Sequence, residues 1–323
     1  MRAAVSERYG GPEVLRLEGR PVPEPGPGEI VIRHVASAVT RTDLATLGGV
    51  PKAARVVTGL GRPKVQVLGL EIAGHVVARG RGAGRFAEGA AVFGLSPSRY
   101  GGHAEHVLLP QDAPLAELPP GLALEEAVIC EGAWYAHSVL QALRLREGQS
   151  LFIFGGGGAI GSAALQLGVA RGLRVTVAAE PHQLALMEEL GAAGVQISAD
   201  PAALTGRYDA VLDAAGKGGY RALRPLLAPG ASFAATDFGP GGQLLWQMPF
   251  FALTGRRRRV MLPLPREVSA IPGLLASLIE EGQYRPIIDR RFPLSRIAAA
   301  YDYVGTERKT GIVALDIASG AVG

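Results

Sequence analysis

Phe152-Ile153-Phe154 runs straight into Gly155-Gly156-Gly157-Gly158-Ala159-Ile160-Gly161, and beyond it the apolar residues Ile160, Ala163, Ala164 and Leu167 recur at helical spacing. A buried strand that empties into a glycine turn and opens a helix points to a parallel sheet wound by helices. Within the turn, Gly156, Gly158 and Gly161 read G-x-G-x-x-G. That spacing gives a tight turn, close approach of backbone to an anion, and close packing of helix on strand. Backbone N–H groups at the helix start, aided by the helix dipole, then hold the anion, so the expected occupant is a dinucleotide pyrophosphate. In a chain with 45 glycines the pattern alone also fits an ordinary connection. The strand before it and a second strand, Val175 to Ala179, after it favour the nucleotide.

The same rhythm continues. His182 to Leu190 reads as a helix ending at Gly191, Val195 to Ile197 and Asp209 to Asp213 as strands, and Tyr220 to Leu227 as a helix stopped by Pro229-Gly230. Ala231 to Thr236 is again strand-like. The first third differs: after the stiff Pro21 to Gly28 connection, Glu29 to Ala36, Leu68 to Val77, Ala90 to Phe93 and His103 to Leu109 read as strands separated by glycine turns. An antiparallel, partly open β-barrel fits them. Ile271 to Glu280 reads as an amphipathic helix and Ile312 to Ile317 as a last strand, and this terminal segment is expected to return to the first domain. The expected division is 1–122, then 123–264 for the doubly wound parallel sheet, then 265–323 back in the first domain.

At 323 residues with 48% apolar content, the chain can build two full cores. Hydrophobic runs are short, so no membrane span is expected, and Met1 to Glu7 carries no export signal, which points to the cytoplasm. The net charge of +4 comes from arginines scattered among acids, which argues against nucleic acid as a partner. The exception is Arg256-Arg257-Arg258-Arg259, readable as a solvated turn or as a contact for a phosphorylated ligand or partner. A single cysteine, Cys130, excludes an internal disulfide and any multi-cysteine zinc site.

These segments together resemble the medium-chain dehydrogenases/reductases, and within them the zinc-free quinone oxidoreductases of the ζ-crystallin type. The resemblance is carried by Tyr9-Gly10-Gly11-Pro12-Glu13-Val14-Leu15, by Val67 to Gly74, by Phe86 to Phe93, by Gly101-Gly102-His103-Ala104-Glu105-His106-Val107, by the glycine turn, and by Asp213-Ala214-Ala215-Gly216. It implies a GroES-like barrel domain, a Rossmann domain, a nicotinamide cofactor meeting a small carbonyl-bearing substrate in a cleft between them, and a homodimer or homotetramer. Zinc-dependent relatives place a cysteine in C-R-T-D and a histidine in G-H-E, where this chain has Thr40-Arg41-Thr42-Asp43 and Gly69-Leu70-Glu71. Cys130 falls near the third ligand position, and one thiolate does not hold zinc. His103 and His106, three apart in a segment read as strand, are expected on opposite faces. No metal is therefore expected.

Without a Lewis acid, hydride delivery to an already electrophilic carbon remains feasible, which favours a quinone or an α,β-unsaturated carbonyl as substrate. The resemblance puts Thr40 beside the nicotinamide as hydrogen-bond donor to a developing oxyanion, although it also reads as a threonine satisfying nearby backbone. Asp43 reads as a catalytic-site residue or a support of the cleft, and Glu71 as a support that could pair with an arginine. Tyr100 is a candidate proton donor or a rim residue, and Trp134 a pocket wall or a core residue. Cofactor contacts are expected from Gly156, Gly158, Ile160, Gly161, Ala215, Phe238 and Trp134. The position that selects the cofactor falls on Ala178, with Glu180 and His182 beside it. The small residue leaves room for a 2′-phosphate and favours NADPH over NADH. The alternatives are an enoyl reductase acting on carrier-bound thioesters and a non-catalytic NADPH-binding protein.

Overall fold

Ser150–Phe154 is apolar along nearly its whole length, and such a strand needs cover on both faces. It lies third in a six-stranded parallel sheet ordered Gly194–Ile197, Arg174–Ala179, Ser150–Phe154, Tyr208–Asp213, Leu227–Ala235, Val260–Met261. Leu151, Phe152 and Ile153 are wholly buried there. The strand order reverses between Ser150–Phe154 and Tyr208–Asp213, and in such sheets ligands bind outside the carboxyl ends at that switch point. The glycine turn leaves the sheet at this place and enters the helix Ala159–Ala170.

The computed structural model describes residues 1–254 and 259–318, and divides into one unit of Met1–Glu131 with Val268–Gly323 and a second of Gly132–Glu267. The cuts thus fall later than the expected 122 and 264. Glu71, on the strand Glu71–Arg79, accepts the N–H groups of Cys130 and Glu131, which keeps the chain with the first unit through residue 131. Arg256, Arg257 and Arg258, singled out above as part of a basic cluster, lie outside the described residues.

In the first unit, Ile288–Pro293, Ile312–Asp316, Glu29–Val39, Glu71–Arg79, Ala91–Leu95 and Leu115–Glu117 follow one another across a sheet, with His106–Pro110 paired off Glu29–Val39. All pairs are antiparallel except the first. This is the GroES-like barrel, and the strand Ile312–Asp316, pairing with Glu29–Val39, makes the unit discontinuous in sequence.

Two expectations need correcting. Pro229-Gly230 does not separate a helix from a strand: the helix Gly219–Leu223 ends earlier, and the strand Leu227–Ala235 runs through the pair by a register shift between Tyr208↔Leu227 and Ala210↔Ser232. A bulge tolerates a proline that a regular ladder would reject. His103 precedes the strand His106–Pro110, so its alternation with His106 is not that of one strand. It is buried, with Nε2 at 2.9 Å from the Ala38 carbonyl and Nδ1 at 3.3 Å from the Tyr301 hydroxyl.

Candidate active site

The glycines of the turn are required for different reasons. A β-carbon on Gly156 would lie 2.8 Å from Cβ of Val177, and one on Gly155, whose φ is +85°, would lie 2.7 Å from Cβ of Ala215. On Gly161 it would meet the Gly155 carbonyl, and on Gly157 the side-chain amide of Gln183. Gly158 is the exception: its backbone is extended, at φ −75° and ψ 169°, and the nearest atom to its β-carbon would be Gly155 O at 3.7 Å. The protein's own packing therefore has no need of glycine there. A glycine at a helix N-cap supplies no side-chain cap to the first N–H groups of the helix, which is the provision a phosphate uses.

Around this turn, Gly156 donates its N–H to the Ala178 carbonyl at 2.9 Å. Ala178 is 2% exposed and sits in the core, so its side chain is not at the surface where an adenosine ribose would lie. That location passes to the exposed Glu180 and His182 in the turn after the strand. Glu180 and Gln183 form a reciprocal capping box, with Gln183 Oε1 accepting the Glu180 N–H at 3.0 Å. The Glu180-x-x-Gln183 spacing was a readable signal for this. Along the strand ends, buried Asp213 accepts N–H groups from Ala215 at 3.2 Å, Gly216 at 2.8 Å and Gly219 at 2.7 Å. Burial raises its pKa, aided by the neighbouring Asp237 charge. Phe238 follows and is 43% exposed. Trp134 donates its indole N–H to the Arg266 carbonyl at 2.8 Å and meets the Tyr135 ring edge-on. Ile160 is half-buried in the first turn of the helix.

In the first unit, Thr40 is the N-cap of the helix Arg41–Gly48. Its oxygen accepts the Asp43 N–H at 3.2 Å, while its N–H and O–H both donate to Asp43 Oδ2, at 3.0 and 2.9 Å. Asp43 Oδ1 accepts the Gly69 N–H at 3.0 Å, tying the helix start to the loop before Glu71. The hydroxyl thus satisfies local backbone and bonds the buried Asp43 carboxylate. Burial raises Asp43 to about 6, against the hydrogen bonds from Thr40 and Gly69. Tyr100, half-buried with φ at 57°, is hydrogen-bonded to Thr46, and burial raises its phenol pKa, so it stays protonated.

Glu71 is held by backbone rather than by an arginine: Oε1 accepts the Glu131 N–H at 2.6 Å and Oε2 the Cys130 N–H at 3.2 Å. A buried carboxylate is satisfied as well by peptide N–H groups as by a cation. Burial pushes Glu71 well up. Two charged groups that are not among the expected site residues stand out, Glu131 and Lys309. Burial, and after it the Asp43 charge, raises Glu131 to about 7, against the hydroxyls of Thr42 and Thr40. Lys309, which donates to the Gly311 carbonyl, is lowered by burial to about 8 and faces Glu131 and Asp289. The signal for Glu131 was an acid directly following the apolar Ala127-Val128-Ile129-Cys130.

Two family models match this chain: the alcohol dehydrogenase GroES-like domain over residues 26–120 and the zinc-binding dehydrogenase over residues 190–315. A quinone oxidoreductase of Pseudomonas aeruginosa is 28% identical over 95% of this chain and 97% of its own. The chain is a medium-chain dehydrogenase/reductase of the quinone oxidoreductase type. An NADPH-dependent alkenal/one oxidoreductase of Arabidopsis thaliana is 29% identical over 97% of this chain and 78% of its own. The solved quinone oxidoreductase of Coxiella burnetii superposes with a TM-score of 0.82 at 23% identity, over 98% of this chain and 99% of that one, and shares the fold. As a member of this family the protein is an oxidoreductase that binds a nicotinamide dinucleotide.

The second model's description implies zinc, and the donor set here does not fit it. Thr40 O–H is committed to Asp43, Leu70 offers no donor atom, and burial beside Glu71 pushes the Cys130 thiol well up, against the thiolate a zinc ligand requires. The carboxylate oxygens of Asp43 and Glu71 already receive N–H groups. Among the described residues, no group of three or more His, Cys, Asp or Glu is arranged to hold a metal ion, and no helix is long and apolar enough to cross a membrane.

Proposed function

We propose that this medium-chain dehydrogenase/reductase is a zinc-independent, NADPH-dependent reductase of a quinone or an α,β-unsaturated carbonyl. The observation that carries the reading is Gly158, a glycine that the chain's own packing does not require, at the open N-terminus of a helix over the sheet's switch point. The dinucleotide would be held by the backbone of Gly156, Gly158, Ile160 and Gly161, with Ala215 and Phe238 along the strand ends. Bound, it supplies hydride to an electron-poor carbon. Thr40 gives its O–H, released from Asp43 Oδ2, to the oxygen on which negative charge develops, while Asp43 keeps the helix start fixed through the Thr40 N–H and its own N–H. Tyr100, whose phenol bonds Thr46 and stays protonated, lies near Asp43, where it can supply the proton.

Support for NADPH comes from the Arabidopsis relative, which is named for NADPH dependence. The exposed Glu180, held in the capping box with Gln183, works against a 2′-phosphate at that place. The test is a titration of nicotinamide fluorescence with each dinucleotide, followed by absorbance assays on a quinone, an enone, a simple aldehyde and an acyl thioester. Tighter binding of NADPH and turnover of the first two are expected. Equal binding of NADH would refute the cofactor preference, and a stoichiometric zinc requirement would refute the metal-free reading.

A further inference from the structure

The strand Glu29–Val39 loses its partner on one side before it reaches Thr40. Its pairing with Glu71–Arg79 ends at Ala36↔Ala73, while its pairing with Ile312–Asp316 runs on through Val39↔Val313. The Ala38 carbonyl, just upstream of Thr40, is taken instead by a side chain, since His103 Nε2 lies 2.9 Å from it. His103 is wholly buried, and so is Tyr301, whose hydroxyl lies 3.3 Å from His103 Nδ1. A carbonyl only accepts, so Nε2 carries the imidazole proton. Nδ1 is then a bare lone pair, and Tyr301 donates its O–H to it. The tautomer is thus fixed from both ends of the ring.

The same residue closes on the loop that holds Asp43. His103 donates its N–H to the Leu68 carbonyl at 2.9 Å, and Gly102 donates its N–H to the Gly69 carbonyl at 3.0 Å. Gly69 in turn gives its own N–H to Asp43 Oδ1 at 3.0 Å. Its φ is +93°, and a β-carbon on it would lie 2.6 Å from His103 Cδ2, so the imidazole packs directly on the Gly69 backbone. The helix start at Thr40 is therefore held from two directions, by the strand behind it and by Gly69 on Asp43, and His103 touches both. From the helix Ile297–Gly305, the Tyr301 ring meets the imidazole edge-on, with 5.7 Å between centroids and 80° between planes. An apolar side chain at residue 103 would fill the same space and leave the Ala38 carbonyl and the Tyr301 hydroxyl unpaired in the core.

We propose that His103 is a positioning residue for the reduction: as the Nε2–H tautomer backed by Tyr301, it sets the place of the Thr40 hydroxyl through the Ala38 carbonyl and through Gly69. This rests on the reductase reading given above, in which Thr40 bonds the oxygen on which charge develops. His103 itself touches no reacting atom. Its effect falls on turnover, because a displaced hydroxyl stabilises the developing charge less. Gly156, Gly158 and Gly161, which hold the dinucleotide in that reading, take no part in these bonds.

The test is His103→Leu beside His103→Gln, each made in the wild type and in Thr40→Val, with a quinone and an enone as substrates. His103→Gln keeps an N–H for the Ala38 carbonyl. His103→Leu should lose about thirtyfold in kcat, with KM and NADPH affinity within about threefold of wild type, and His103→Gln should recover most of that loss. In the Thr40→Val background the same leucine substitution should cost less than about threefold, because the hydroxyl that His103 positions is gone. A residue that only supports the fold would lower turnover by one factor in both backgrounds. Should His103→Leu fail to fold, Tyr301→Phe removes only the O–H on Nδ1 and should lose about fivefold in kcat, a loss that likewise vanishes in Thr40→Val. Full kcat in His103→Leu, or a loss that is equal with and without the Thr40 hydroxyl, overturns the positioning role and leaves the reductase reading standing. A wild type that binds NADPH and reduces none of the substrates overturns both.

Discussion

The Gly155 carbonyl oxygen occupies the space that a β-carbon on Gly161 would need, whereas a β-carbon on Gly158, three residues earlier, would meet the same oxygen only at an ordinary contact distance of 3.7 Å. The two glycines therefore separate folding from binding. Gly161→Ala should destabilise the second unit by about 1–3 kcal/mol, because backbone rather than a flexible side chain must yield. Gly158→Ala, at an extended φ and ψ, should leave the urea midpoint within about 0.5 kcal/mol of wild type and weaken NADPH binding at least about tenfold. Equal affinity in Gly158→Ala would mean that no ligand approaches that backbone, and the nucleotide site would have to be sought elsewhere.

Thr40 caps a helix and stands beside two acids, so its variants should divide by hydroxyl rather than by size. Thr40→Ser keeps the oxygen that accepts the Asp43 N–H and the O–H that donates to Asp43. It should retain stability and turnover within a few-fold. Thr40→Val removes the cap and leaves buried Asp43 short of a donor, and should cost about 1–3 kcal/mol. Its turnover should drop with no loss of NADPH affinity. Thermal denaturation and steady-state kinetics on the three proteins decide it, and a Thr40→Val enzyme as active as Thr40→Ser would remove Thr40 from the chemistry.

The glycine turn, its strand and its helix were legible because both neighbours of the turn carry strong periodicity, and the helix Ile271–Glu280 was read with its observed limits for the same reason. What escaped was whatever depends on pairing between distant segments. The strand through Pro229-Gly230 depends on a bulge against Tyr208–Asp213, which no local pattern announces. Glu71 reads as a residue needing a cation until the fold brings the N–H groups of Cys130 and Glu131 onto it. Lys309 lies three residues before the last strand, where no local pattern marks it, and its charge reaches Glu131 only through the fold. Ala178 was placed by counting, and the register Phe154↔Ala178 puts it level with the end of the central strand and inside the core.

Glu180 offers a charge test of the cofactor preference. It is exposed at the end of the strand Arg174–Ala179, where a 2′-phosphate would meet a negative charge. Glu180→Ser keeps a residue able to cap the following turn and removes the charge. With an effective dielectric near that of a protein surface, the relief is about 1 kcal/mol, so NADPH should bind about fivefold tighter and NADH no tighter. Fluorescence titration at low salt reads the ratio. A variant that gains affinity for NADH instead would show that the adenosine end lies away from residue 180.

Stability should respond to pH in opposite senses at His103 and Glu131. Burial lowers buried His103 to about 4, from an ordinary value of 6.5. Between those values the unfolded chain binds a proton that the folded chain refuses, so the stability that neutral His103 contributes is lost as pH falls through that window. At about 1.4 kcal/mol per pKa unit the span is roughly 3 kcal/mol. Glu131 runs the other way: raised from 4.5 to about 7, it binds a proton in the folded state that the unfolded chain releases, and stability is lost as pH rises toward 7. The two slopes oppose one another in the wild type, as do those of His34, also lowered to about 4, and Asp43, raised to about 6. Single variants separate them. The unfolding free energy of His103→Gln relative to wild type should climb by about 2–3 kcal/mol between pH 7 and pH 4.5, and that of Glu131→Gln should climb by a similar amount from pH 4.5 to pH 7.5. Urea titrations at each pH measure both, and a difference from wild type that stays flat with pH would mean that the replaced side chain is hydrated in the folded protein.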